Sequence, residues 1–161
     1  GEPHVFGDCI YLFGSHDKEG GDKYCQEGNY MGWSAPLDHP TEWTSHGIIY
    51  EPSQDPEFFG HAFYEAASIR KINGRYYFIY SSENSNELCY ATSQNYNGPY
   101  HFGGTIISNG DVGYHGRSGE NRTNQTANDH GSLACIKGQW YIFHHRQTHS
   151  GTFSRQAWQN R

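Results

Sequence analysis

The chain has 161 residues, enough for one domain with a hydrophobic core. Its net charge of −6, with no basic run longer than Arg70-Lys71, argues against nucleic-acid binding. No apolar stretch approaches the length of a membrane-spanning helix. Twenty glycines and a 16% share of aromatic residues, without a helical apolar period, predict short strands joined by turns and therefore an all-β protein.

Three aromatic segments recur along the chain and predict an internal repeat. They are Cys9–Ser15, Tyr76–Ser81 and Trp140–His145, each preceded by a turn pair. Aligning Tyr11, Tyr77 and Tyr141 gives spacings of 66 and 64 residues. In the first two units, further strand patterns follow at 30–34, 43–50, 88–93 and 100–108. Several short strands repeated at a fixed period predict a β-propeller.

The length of the repeat limits how much of a propeller the chain contains. At about 65 residues per unit, the chain forms roughly two and a half blades, whereas closed propellers typically have four to eight. We therefore predict one partial propeller domain over residues 1–161. Its blade-like units lie at about 1–50, 59–108 and 128–161, with a possible seam at the proline-bearing segment 51–58.

Glu65 lies near the start of a predicted hairpin. Asn73-Gly74 separates two apolar runs, which is the strongest short-range hairpin signal, so 63–69 and 75–81 are expected to pair. Beside Phe63 and Tyr64, a carboxyl group would be poorly solvated, which favours the protonated form of a proton donor. The alternative is that Glu65 is an ordinary surface residue of a strand.

Six ordered motifs resemble glycoside hydrolase family 43 and cover nearly the whole chain except 51–58. The motifs are GEPHVFGDCIYLFGSHD, FYEAASIRKINGRYYFIYSS, ELCYATS, GPYHFGGTIISNGD, NDHGSLACIKGQWYIFHHRQTH and FSRQA. The resemblance implies a five-bladed β-propeller. It also implies an inverting glycosidase that removes terminal α-L-arabinofuranosyl or β-D-xylosyl residues from hemicellulose, so the expected partner is an arabinose- or xylose-containing saccharide.

The resemblance assigns roles to residues that match the family motifs. Glu65 matches the general acid, and Arg155 matches the arginine that reaches the sugar in the −1 subsite. His130 matches a channel histidine that in many relatives helps to hold a hydrated Ca²⁺ or Na⁺ ion; no organic cofactor is expected. From their positions, His16 after the first aromatic strand and Phe63 beside Glu65 are further candidate sugar contacts.

Two catalytic carboxylates of the family pattern are not present in this sequence. The general base precedes the Gly-Glu-Pro motif with which the sequence begins, and an Asp that tunes the acid lies in a segment of about two blades, expected between Tyr50 and Phe58. The alternative function is therefore a catalytically impaired carbohydrate-binding fragment or remnant, and the sequence leaves open whether it works alone or as a homo-oligomer. The sequence does not decide between arabinose and xylose, nor between secretion and a cytoplasmic location.

Overall fold

The computed structural model describes residues 1–22, 27–54, 64–82, 87–108, 110–123, 130–147 and 155–160. For residues 52, 64, 82, 147 and 155–160 it describes the backbone alone. Within these ranges the chain forms eleven strands in three antiparallel sheets, so the predicted all-β class is confirmed. The same ranges contain no helix that is long and apolar enough to span a membrane.

Each sheet has the order of a propeller blade. The first blade contains β1 (Glu2–Phe6), β2 (Cys9–Ser15), β3 (Tyr30–Pro36) and β4 (Thr44–Tyr50) in sequential order. The second blade contains β5 (Tyr64–Ile72), β6 (Arg75–Ser82), β7 (Leu88–Ser93) and β8 (His101–Ile107), also in sequential order. The third blade contains β9 (Gly131–Ile136), β10 (Gln139–Gln147) and β11 (Arg155–Asn160), with β10 in the middle.

The hairpin predicted from Asn73-Gly74 is present as β5 and β6. Both turn residues adopt positive φ angles, 49° for Asn73 and 81° for Gly74. That conformation matches the right-handed twist of the two flanking strands and is accessible to glycine and asparagine at little cost. The sequence analysis did not predict β1, although its five residues alternate between half-buried and exposed positions, as expected for a strand with one packed face.

An aromatic cluster holds the first and second blades together. Phe78 on β6 is fully buried, and its ring lies within 4.8 to 6.4 Å, centroid to centroid, of five other aromatic rings. These rings belong to Phe13, Tyr30, Tyr50, Tyr80 and Tyr100. Four of the six residues are tyrosines, and the hydroxyls of Tyr50 and Tyr80 form a 3.1 Å hydrogen bond, which satisfies polar groups that would be costly to bury alone.

The third blade packs on the opposite face of the second. Ile142 on β10 contacts Ile79 and Leu88, and all three side chains are buried. Gly131 at the start of β9 permits this close approach, because an added Cβ atom would lie 2.5 Å from Leu88 Cδ2. The second blade is therefore central, with one face packed on the first blade and the other on the third.

Candidate active site

A β-bulge positions Glu65 at the start of β5. Glu65 pairs with Ser81, but the next pair is Ser68 with Ile79, so β5 contains one extra residue at this point. Ala66 within the bulge has a φ of 55°, a conformation that non-glycine residues adopt at a cost. Bulges redirect side chains at the ends of strands and are frequent next to active sites. The hydroxyl of Tyr30 in the first blade donates a 2.7 Å hydrogen bond to the Glu65 carbonyl and secures the bulge.

Glu65 and His130, which the sequence analysis selected separately, are in direct contact. His130 Nε2 lies 2.9 Å from Glu65 Oε2, so the beginnings of β5 and β9, which are adjacent strands of the second and third blades, meet at this pair. The two side chains keep 32% and 30% of their surface exposed, for His130 and Glu65 respectively. The pair is thus accessible from solvent and yet partly shielded, as a proton donor to a bound molecule must be.

His130 is held in place by His145 on β10, the strand that pairs with β9. The His145 backbone N–H donates a 3.1 Å hydrogen bond to the His130 carbonyl, and the two imidazole rings pack edge to face at 4.9 Å. A contact between an imidazole nitrogen and a carboxyl oxygen requires a proton on one of them. The Glu65–His130 pair can therefore hold a proton at the solvent-accessible edge of the blades.

A charged hub lies behind this pair and joins all three blades. Arg70 Nη2 donates to Glu2 Oε1 at 2.9 Å and to Ser132 Oγ at 2.7 Å, and Arg70 Nε donates to the Leu133 carbonyl at 2.7 Å. The Ser68 hydroxyl donates to Glu2 Oε2 at 2.6 Å. Because β1, β5 and β9 each contribute to this hub, it fixes the relative positions of the strands that carry Glu65 and His130.

The hub determines the ionisation of its members. Burial alone would raise the pKa of Glu2, but the hydrogen bonds from Arg70 and Ser68 outweigh it and lower that pKa to about 2. Burial and the Arg70 charge lower the pKa of His4, which also contacts Arg70. Glu2 is consequently an ionised carboxylate with both oxygens engaged, and so a weak base. We interpret it as a structural charge.

The hub should make stability depend on pH in the acidic range. The folded-state pKa of Glu2, about 2, lies below its ordinary value of 4.5. The stabilisation from Glu2 is therefore complete above about pH 4.5 and is lost as the pH falls towards 2. We expect Glu2→Gln to lower the free energy of unfolding at pH 7 by about 1–2 kcal/mol, a value limited by the partial exposure of Glu2.

Urea unfolding of wild type and variant between pH 7 and pH 2.5 measures this effect. The difference in stability between the two proteins should shrink as the pH falls. Glu42→Gln serves as the control, because the Glu42 side chain is 72% exposed. Its Oε1 lies 3.9 Å from His39 Nδ1, which is too far for a hydrogen bond. A difference that stays constant across the pH range would contradict the assigned role of Glu2.

Two further candidate residues, His16 and Arg155, lie in the first and third blades. His16 follows β2 at the edge near Glu65, and its Nδ1 lies 3.0 Å from Asn29 Oδ1, so that ring nitrogen is engaged. Arg155 is the first residue of β11, and its backbone pairs with Gln147 at the end of β10. The same end of β10 carries His145, which contacts His130. The Arg155 side chain and Phe63 lie outside the described part of the structure.

Comparisons with known proteins agree with this architecture. No family model matches the chain. A xylosidase/arabinosidase from Thermoclostridium stercorarium is 26% identical over an alignment of 284 positions that includes 97% of this chain and 60% of the relative. A β-xylosidase from Xylanibacter ruminicola is 37% identical over 94 residues, which cover 58% of this chain and 24% of the relative.

Solved structures show the same fold. A family 43 β-xylosidase/α-arabinofuranosidase from a compost metagenome, in complex with xylotriose and described as calcium-free, superimposes with a TM-score of 0.63 at 23% identity. It matches 99% of this chain and 53% of its own. The chain is therefore similar in fold to proteins of glycoside hydrolase family 43. An α-L-arabinofuranosidase from Clostridium thermocellum gives a TM-score of 0.62 at 20% identity, with 88% of this chain and 45% of the other covered.

The chain spans only part of the length of these relatives and solved structures. It covers 60% of the first curated relative and about half of the two solved structures, 53% and 45%. Its three sheets accordingly form part of a five-bladed propeller. The relatives therefore contain segments that have no counterpart in this chain. The sequence analysis places such a segment at 51–58, and this position stays a prediction.

Proposed function

We propose that this protein is a member of glycoside hydrolase family 43 and hydrolyses terminal α-L-arabinofuranosyl or β-D-xylosyl residues of hemicellulose, with Glu65 as the general acid. The observation that carries the proposal is the Glu65–His130 contact of 2.9 Å at a partly exposed edge where the inner strands begin. The relatives named xylosidase/arabinosidase support the substrate class. The xylotriose complex of a similar fold supports the binding of such a sugar.

In the proposed reaction, the proton of Glu65 moves to the glycosidic oxygen as the bond from that oxygen to the anomeric carbon breaks. Water attacks the same carbon from the opposite face, and a second carboxylate accepts the proton of the water. Since the water needs room, the two carboxyl groups stand roughly 6.5–9.5 Å apart in inverting enzymes. The product sugar therefore has the inverted anomeric configuration.

The second carboxylate is not assigned to a described residue. Glu2 is a poor candidate, because Arg70 and Ser68 occupy both of its oxygens. The family resemblance instead implies an aspartate directly before Gly1, which would stand at the beginning of β1. Glu65 and His130 occupy the corresponding places at the beginnings of β5 and β9. The three inner strands would then present the acid, the base and the histidine at one end of the channel.

The remaining proposed roles concern the orientation of the sugar and of the acid. His130 would hold the Glu65 carboxyl group in position, whereas Arg155, His16 and Phe63 would contact the sugar in the −1 subsite. His130 would be the residue nearest to a hydrated Ca²⁺ or Na⁺ ion in the channel. The described residues include no group of three side chains that could hold a metal ion, and no step of the proposed reaction involves one.

Hydrolysis of two aryl glycosides tests the proposal. The purified protein should release nitrophenol from p-nitrophenyl α-L-arabinofuranoside or from the β-D-xyloside. Proton NMR on a fresh reaction with an oligosaccharide should show the inverted anomer first, since water attacks opposite the leaving group. Retention of configuration, or an absence of turnover on both glycosides, would contradict the proposal; binding without turnover would instead support the carbohydrate-binding alternative.

A further inference from the structure

A pocket separate from the Glu65–His130 pair lies on the same edge of the blades as Glu65. The register of the second blade pairs Glu65 with Ser81, Ser81 with Leu88, and Leu88 with Ile107, so the end of β8 lies in the same row as Glu65. Beyond β8 the chain continues into the loop 110–123, which faces the end of β10 in the third blade. The pocket occupies the space between that loop and the two blades.

The volume of this pocket is 380 Å³. Binding sites for small ligands generally measure about 300–1,000 Å³, so there is room for one or two sugar units. Ile107 and Val112 contribute apolar surface to its lining, and the buried His144 side chain also borders it. The lining thus combines apolar surface with polar groups, which is typical of ligand sites.

The charged groups of the pocket neutralise each other. Arg146 Nη2 donates to Asp111 Oδ1 at 3.1 Å, and the Thr123 hydroxyl donates to Asp111 Oδ2 at 2.5 Å. Burial opposes ionisation of Asp111, but the hydrogen bonds from Thr123 and Arg146 outweigh it and lower the pKa of this carboxyl group. Among the described lining residues the charged groups are one carboxylate and one guanidinium, and the Arg117 charge acts on Asp111 from outside the lining. This lining has no net charge of its own and therefore suits a neutral polar ligand.

An exposed aromatic ring stands at the rim of the pocket. Tyr114 borders the pocket, keeps 66% of its surface exposed, and packs against the ring of His115 at 4.1 Å. The face of an exposed aromatic ring packs well against apolar surfaces such as the C–H face of a sugar. Neutral hydrogen-bonding groups below an aromatic rim suit a neutral, polyhydroxylated ring.

We propose that this pocket is a second carbohydrate site that binds a neutral pentose unit of the polysaccharide away from the cleaved bond. The inference rests on the proposed function for the substrate class. The row from Glu65 to Ile107 places both sites on one edge of the blades, so a single polysaccharide chain reaches both. Simultaneous binding of one polysaccharide chain at both sites raises its effective concentration at Glu65, although no new contact forms there.

Affinity electrophoresis in gels that contain arabinoxylan tests the second site. The protein is compared with Tyr114→Ala, both in the Glu65→Gln background so that the polymer stays intact. We expect the arabinoxylan to retard the parent and Tyr114→Ala to raise the apparent Kd up to about tenfold, which corresponds to about 1.4 kcal/mol and lies within the range for an aromatic stacking contact. Because the ring is exposed and its packing partner is His115 alone among the rings of the described residues, its removal should not unfold the protein.

Trp43→Ala is the matched control. Trp43 is an aromatic residue that keeps 45% of its surface exposed. It directly precedes β4, and the other end of that strand carries Tyr50, which lies near Glu65. This variant should migrate as the parent does. Equal retardation of the Tyr114→Ala variant and the parent, or no retardation of the parent, would overturn the second site. Aryl glycosides, which are too short to reach the pocket, test the proposed function separately.

Discussion

Replacement of Glu65 by glutamine is expected to reduce kcat on arabinoxylan oligosaccharides by 10²- to 10⁴-fold, on the order of a general acid's contribution. The amide of glutamine keeps the size of the side chain but cannot donate a proton to the glycosidic oxygen. KM should change much less, because the amide can still form hydrogen bonds to a bound sugar and to His130. Initial rates at saturating oligosaccharide, followed by reducing-sugar release, measure the effect.

The leaving group makes this experiment specific for acid catalysis. A dinitrophenolate departs without protonation, so Glu65→Gln should lose far less activity on a dinitrophenyl glycoside than on an oligosaccharide. Glu42→Gln, the same chemical change at an exposed position, should retain the activity of the wild type on both substrates. An equal loss on both substrates would indicate that Glu65 supports the structure rather than donating a proton.

Replacement of Phe78 by alanine is expected to lower the free energy of unfolding by about 3–5 kcal/mol, the range for large-to-small changes in a core. Phe78 is fully buried and lies among five aromatic rings from the first two blades. Rigid rings such as Tyr30 and Tyr100 cannot collapse into the space, so a cavity should persist. Urea unfolding followed by far-UV circular dichroism measures the loss.

Phe143→Ala provides the matched control for this change. Phe143 also lies within a strand, β10, but keeps 42% of its surface exposed. Its removal should cost about 1 kcal/mol or less, as for most changes at partly exposed positions. Similar losses at both positions would contradict the view that the ring cluster between the first two blades dominates stability.

Much of the fold follows from local patterns in the sequence. The aromatic segments at Cys9–Ser15 and Trp140–His145 and the Asn73-Gly74 turn lie in strands and a hairpin as predicted, because side-chain alternation and turn chemistry are local properties. β1 was missed, since its five residues include Pro3, which usually argues against a strand. In the structure Pro3 lies in a strand at the edge of its sheet, where proline is tolerated.

The candidate site could be predicted only as separate residues. Glu65 and His130 were selected from motifs, yet their contact depends on the packing of two blades, which no local pattern specifies. The hub around Arg70 was missed for the same reason, because Arg70-Lys71 reads as an ordinary basic pair. Its partner Glu2 is 68 residues away in the sequence. The one local signal for the hub is a charged residue, Arg70, at a packed position of a strand.

The hub also has a consequence for the synthesis of the protein. Glu2 leaves the ribosome before its main partners Ser68 and Arg70, which follow 66 and 68 residues later. At translation rates of about 5–20 residues per second, the interval to Arg70 is roughly 3 to 14 s. During that time β1 is the uncovered edge of its sheet, and such an edge can pair with other chains. The charge of Glu2, which water solvates until Arg70 arrives, protects this edge against such pairing.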